Sequence, residues 1–221
     1  MTISKTKYLA GLLCPKLLWH HYNATDSFPP IDPAKKAIFD TGHAVGDLAK
    51  QLYPDGVEVP WNRDLAMTTA ATRELLLQRM PIFEASFEIE GCYCRADIMV
   101  PRNDDSWDLY EVKSATKVKE VNIADVAFQA NAIERSSVQL DRLYLVHLDN
   151  SYVRQGDIDP EKLFHAEDVT SRARALQPEV RSKVVAMQEI IGGACPDITF
   201  GAQCSDPSDC DLRDQCSAFL P

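Results

Sequence analysis

The chain has 221 residues, 45% of them hydrophobic, which suffices for one well-buried core and disfavours two large domains. Its formal net charge of -10 argues against a protein whose main task is to coat nucleic acid, since phosphate binding leaves a basic footprint, but not against an enzyme that grips a few phosphates locally. The stretch from Lys5 to Leu13 faintly resembles a secretion signal, but Cys14-Pro15-Lys16 interrupts it, and no run approaches the ~18 apolar residues that span a bilayer. A cytoplasmic protein with no membrane partner is therefore expected.

Ser4 can cap a first helix, which Cys14-Pro15 interrupts before Leu17, Leu18, Trp19 and Tyr22 continue an apolar face. Residues 23–30 read as a loop. Asp32-Pro33 pairs a capping residue with proline at the first helical position, which predicts a helix to about Tyr53, ahead of the turn Pro54-Asp55-Gly56. Another helix is predicted over Thr68 to Met80. Three strands follow, Pro81 to Ile89, Cys92 to Val100 and Trp107 to Lys113, joined by a turn at Glu90-Gly91 and by the Pro-, Asn-, Asp- and Ser-rich segment 101–106. Val121 to Arg135 reads as a helix, Leu140 to Leu148 and Phe164 to Val169 as strands, and about Ser171 to Ile191 as a last helix that Gly192-Gly193 ends. A meander extended by a crossover helix and a further strand gives an α/β fold with a mixed central sheet flanked by helices.

Asp97 on one strand, with Glu111 and Lys113 on the next, is the set that carries chemistry. Alternation puts Glu111 and Lys113 on one face and Tyr110 and Val112 on the other, and it turns Asp97 away from Cys94, Ala96, Ile98 and Val100. Two carboxylates meeting on one sheet face repel unless a cation lies between them, and a hard divalent ion with oxygen ligands is the usual answer.

The Asp97 strand, the Glu111-Val112-Lys113 run and the helix after it resemble the PD-(D/E)XK nuclease superfamily. His43, in Gly42-His43-Ala44-Val45-Gly46, and Gln129 match the upstream histidine and downstream glutamine of its RecB-like branch. Cys94 and Ile133 stand where that pattern has glycine and tyrosine. The resemblance implies a restriction-endonuclease-like core over about residues 33–170, in a single nuclease domain spanning residues 1–221. It further implies that His43, Asp97, Glu111 and the Val112 carbonyl bind Mg or Mn, that Gln129 contacts substrate, and that Lys113 orients the attacking water or stabilises the pentacovalent phosphorus.

Seven cysteines in a reducing compartment point to metal ligation ahead of disulfides. Cys204, Cys210 and Cys216 repeat as C-x5-C-x5-C in a tail with few apolar residues. Zinc sites favour C-x2-4-C pairs, whereas iron-sulfur clusters take four thiolates at more varied spacings. Cys14 is the expected fourth ligand, with Cys195 as a substitute for one member, and zinc or free thiols as the alternatives. One N-terminal and three C-terminal cysteines also resemble the iron-sulfur branch of RecB-like nucleases, which includes CRISPR-associated exonucleases and AddB-type nuclease domains. That resemblance implies a structural 4Fe-4S cluster joining segments of about residues 1–23 and 192–221. Cys92 and Cys94 fall on an apolar strand face and read as core.

The expectation is a Mg- or Mn-dependent DNA exonuclease acting on single strands or free ends, in repair, recombination or CRISPR-type defence, with Lys5, Lys7, Lys16, Lys117 and Lys119 as candidate phosphate contacts. The chain stops five residues after Cys216, so a protein partner or an additional fused domain is also expected. The alternatives are a non-catalytic metal-cluster module that binds nucleic acid or protein, and a zinc-stabilised RNA-processing enzyme.

Overall fold

The computed structural model describes residues 1–206 and 209–218, so part of the expected cluster segment lies outside the described residues. A two-residue strand, β1 (Ile3–Ser4), leads into α1 (Lys5–Leu13), which Ser4 caps by accepting from the Lys7 backbone N–H at 3.4 Å. Pro15 then opens α2 (Pro15–Asn23), since proline lacks the N–H that would continue α1 but suits a first helical position. Asp32 caps α3 (Pro33–Lys50). After β2 (Val57–Glu58), Asp64 caps α4 (Leu65–Gln78), which starts at Leu65 rather than the expected Thr68. The meander is β3 (Ile82–Ile89), β4 (Cys92–Pro101) and β5 (Trp107–Lys113), followed by α5 (Glu120–Arg135), β6 (Leu140–Leu148), the short α6 (Pro160–Leu163), β7 (Phe164–Asp168) and α7 (Thr170–Gly192). A last short helix, α8 (Arg213–Ser217), lies in the cysteine tail.

The strands form one mixed sheet in the order β2-β3-β4-β5-β6-β7. The meander pairs antiparallel, β6 joins β5 in parallel, and β7 joins β6 antiparallel. The strands β1 and β2 escape the sequence reading because two residues carry no period. One of them shapes the molecule: β1 pairs with Cys92 and Tyr93, while β5 pairs with Ile98 to Pro101 along the same edge of β4. Between these two contacts, residues 94–97 border a fork in the sheet.

The main core lies between the sheet and α5, with Tyr8 of α1, Leu18 of α2 and Val180 and Val184 of α7 closing its outer side. Helix α5 is therefore buried most of the way round, from Ile123 to Ile133, and not along one stripe only. On the opposite sheet face, Ala49 of α3 meets Phe83 and Ile98, flanked by Tyr110 and Val112.

Regular alternation along β4 does not hold. Cys94, Ala96 and Met99 join the α5-side core, whereas Ile98 joins the α3 side. On β3 the partners of these residues switch faces at the same level, Ala85 packing with the α5 side and Phe83 with the α3 side. Glu84 between them has φ 57°, a left-handed value that breaks the pleat. The expectation that Asp97 faces away from Cys94 and Ala96 is corrected accordingly: it faces away from Ile98 but shares the α5 side with the other two. Among the described residues, no helix is long and apolar enough to cross a membrane.

Candidate active site

The fork in the sheet gathers six polar side chains. Asp97 comes from β4, Glu111 and Lys113 from β5, Asp125 and Gln129 from successive turns of α5, and Lys5 from the first turn of α1. Lys5 Nζ donates to Glu111 Oε1 and Oε2 at 3.0 and 3.2 Å and to Asp97 Oδ1 at 3.4 Å. Lys113 Nζ lies 2.5 Å from Glu111 Oε1 and 2.7 Å from Asp125 Oδ2. The Gln129 amide donates to Glu111 Oε2 at 2.8 Å and to Asp125 Oδ1 at 3.0 Å. The Val112 backbone N–H donates to Asp97 Oδ2 at 2.8 Å, fixing that carboxylate against β5.

Burial and mutual repulsion separate the carboxylates electrostatically. Burial, and then the neighbouring Glu111, push Asp97 up to about 7, and the same two causes raise Asp125. Burial would raise Glu111 too, but Lys113 and Lys5, with the Gln129 amide, hold it well below the usual carboxylate range. Burial works against the charge on Lys5, yet Asp97 and Glu111 keep it firmly protonated. Lys113 is likewise held charged by Glu111 and Asp125 against its burial. The site thus concentrates negative charge on Glu111, only 1% exposed, and leaves Asp97 short of a full countercharge.

Of the residues singled out from sequence, Asp97, Glu111, Val112, Lys113 and Gln129 come together here. Gln129, expected at substrate, has no exposed surface and contacts the carboxylates instead. His43 lies exposed on α3, the helix whose Ala49 packs behind Tyr110 and Val112. It takes part in no hydrogen bond or ion pair among the described residues, although its helix neighbours Ala37, Ile38 and Thr41 line a groove with Ser114, next to Lys113. Sequence reasoning passed over Asp125, whose signal was its place four residues before Gln129, on one face of α5. It ranked Lys5 only among scattered lysines, because nothing local marks a partner 106 positions away.

The Asp97 and Glu111 carboxylates are oxygen donors that suit a hard cation. Two observations support the fit. The Lys5 ammonium already bridges Asp97 and Glu111 as a positive charge in common, and the buried Gln129 Oε1 beside them has no hydrogen-bond partner among the described residues. Among the described residues, no three His, Cys, Asp or Glu side chains form a group that could hold a metal ion.

The chain ends meet at the cysteines. Cys14, with Ala10 and Leu17, packs against Leu212, and Cys210 and Cys216 border the same cluster. Cys204 is buried, and its carbonyl accepts from the Cys210 backbone N–H at 3.0 Å. Burial raises the Cys210 thiol, and Cys14, Cys204 and Cys216 raise it further. Cys195 lies exposed beside His20, 3.9 Å from its Nε2, and adds to the field on Cys216. Cys92 and Cys94 are buried in the sheet, as their place on an apolar face predicts. The thiols are free, and as soft ligands they suit an iron-sulfur cluster or zinc ahead of Mg. No family model and no curated protein matches this chain.

Proposed function

We propose that this chain is a divalent-metal-dependent deoxyribonuclease of the PD-(D/E)XK type, RecB-like, with a restriction-endonuclease-like core and a 4Fe-4S cluster that joins its two ends. The supporting observation is the meeting of Asp97, Glu111 and Lys113 at the sheet fork, in contact with the α5 residue Gln129. Phosphodiester hydrolysis needs a polarised water and compensation for charge building on phosphoryl oxygens.

Asp97, Glu111 and the Val112 carbonyl would hold Mg or Mn, and His43, exposed on α3 and apart from them, would join the set only if it moved toward the fork. Such an ion supplies a water of lowered pKa and offsets the growing phosphoryl charge. Two anchors, Glu111 and Asp125, position Lys113 for the reacting phosphate and favour its protonated form. Gln129 holds Glu111 and Asp125 at a fixed separation, so neither carboxylate rotates away when the charge between them changes. Val112 N–H does the same for Asp97. The substrate class, single-stranded DNA or free ends, and a role in repair, recombination or CRISPR-type defence rest on the resemblance alone.

The test is a Mg and Mn titration of cleavage on end-labelled single- and double-stranded DNA, with RNA alongside. Glu111→Gln keeps the shape of the side chain and should lower the rate by on the order of 100-fold or more. Undiminished metal-dependent cleavage in this variant would refute the assignment. A second reading is favoured by one observation: Lys5 and Lys113 between them pair with all three carboxylates, an arrangement that also suits a non-catalytic binding module. That reading predicts DNA or protein binding and no cleavage with any divalent ion.

A further inference from the structure

Lys5 differs from Lys113 in what would be left to it once an ion bound. Lys113 is shared between Glu111, which belongs to the ion's donor set, and Asp125, which does not. Among the described residues Lys5 Nζ pairs only with Asp97 and Glu111, both of them ion ligands in the proposed reading. A divalent ion and an ammonium cannot occupy the same pair of carboxylates without strong like-charge repulsion, so Lys5 would be displaced by a bound ion while Lys113 would keep its Asp125 anchor.

The backbone beneath Lys5 cannot retreat. Ile3 N–H donates to the Gly91 carbonyl at 2.7 Å, and the Tyr22 hydroxyl donates to the Thr2 carbonyl at 2.8 Å. The flexible four-carbon stem is the part free to move, and the side chain is 25% exposed. A displaced ammonium would therefore stay within a side chain's reach of Asp97 and Glu111, near enough to meet a phosphate brought to those carboxylates.

Resting on the nuclease reading above, we propose that Lys5 is a substrate-binding residue with two stations: it bridges Asp97 and Glu111 while no divalent ion is bound, and grips a nonbridging phosphate oxygen when the ion displaces it. The ligand class is a phosphodiester, and the contact is a charge-assisted hydrogen bond from a point-like cation.

The two stations give opposite signs for one substitution. Lys5→Met removes the charge at nearly the same length. Manganese binding to the DNA-free protein, followed by the electron paramagnetic resonance of the free ion, should tighten by about tenfold, because no ammonium competes. For single-stranded DNA cleavage, KM should rise by about tenfold with kcat little changed, because a ground-state phosphate contact is lost. Lys5→Gln should behave like Lys5→Met, which guards against a folding defect in either, and Lys5→Arg should restore KM. Weaker manganese binding together with weaker substrate binding would signify a merely structural lysine and overturn the proposal, as would unchanged values in both measurements. Wild-type protein that neither binds manganese nor cleaves DNA would instead bring down the nuclease reading itself.

Discussion

His21 stacks on Phe28 with ring centroids 4.4 Å apart, and its Nδ1 accepts from Lys7 Nζ at 2.8 Å. Burial, and then Lys7, lower its pKa to about 4, with His20 acting in the same direction and Asp211 against it. The unfolded chain, with an ordinary histidine near ~6.5, takes up a proton on acidification before the folded one does. The contribution of His21 to stability is therefore complete above that pH and is lost as pH falls from ~6.5 towards 4. In His21→Phe, which keeps the stacking, the thermal midpoint should fall less steeply over this window than in the wild type. Equal slopes would show that His21 does not govern it. At this scale the candidate set was partly legible: Glu111 and Lys113 lie on a strand whose period fixes a face, Asp97 was legible as a residue but not in its facing, and Gln129 lies on a strongly helical segment. Lys5 was not, since its role depends on a partner 106 positions away, and no local pattern reports such a distance.

The β3-β4 turn shows how an element holds the site. Glu90 and Gly91 have φ values of 43° and 77°, the left-handed pair that a two-residue hairpin turn requires. The Gly91 carbonyl also accepts from Ile3 N–H, so the turn fixes β1, and β1 delivers Lys5 to the fork. Gly91→Ala places a Cβ in left-handed backbone, 2.2 Å from the Gln188 amide and 3.1 Å from the Met1 carbonyl. The backbone cost is about 1 kcal/mol or more. Thermal unfolding should shift down by roughly 2–4 °C per kcal/mol for a chain of this size. An unshifted midpoint would count against the turn as an anchor. Among the elements, the meander, α5 and β6 were legible because each combines a clear period with punctuating turn residues. The face switch at Asp97 was not, because it depends on a left-handed Glu84, and glutamate carries no mark of that conformation.

Across the whole molecule, the helices at one end of the chain and the tail at the other share a small core of Ala10, Cys14, Leu17 and Leu212. So little apolar surface leaves room for ligation to add much of the tail's stability, since a group that binds only the folded form stabilises it. Anaerobically purified protein should be brown and hold about four iron atoms per chain. Cys210→Ser should lose the colour and lower the thermal midpoint by several degrees. Colourless, iron-free protein would end the cluster proposal. The mixed α/β architecture was legible as a whole, since element order alone restricts the topologies open to a sheet. The insertion of the N-terminal strand beside β4 was not, because nothing in Ile3-Ser4 distinguishes a strand from a helix entry. That insertion has a consequence for biosynthesis. Ile3 and Ser4 leave the ribosome early yet wait for Cys92 and Tyr93 before they can dock, and Lys5 waits longer still for Glu111. Lys113 accompanies Glu111 on the meander from the start, whereas Lys5 adds its charge only once β1 has docked, which makes closure of the fork a non-local event in folding.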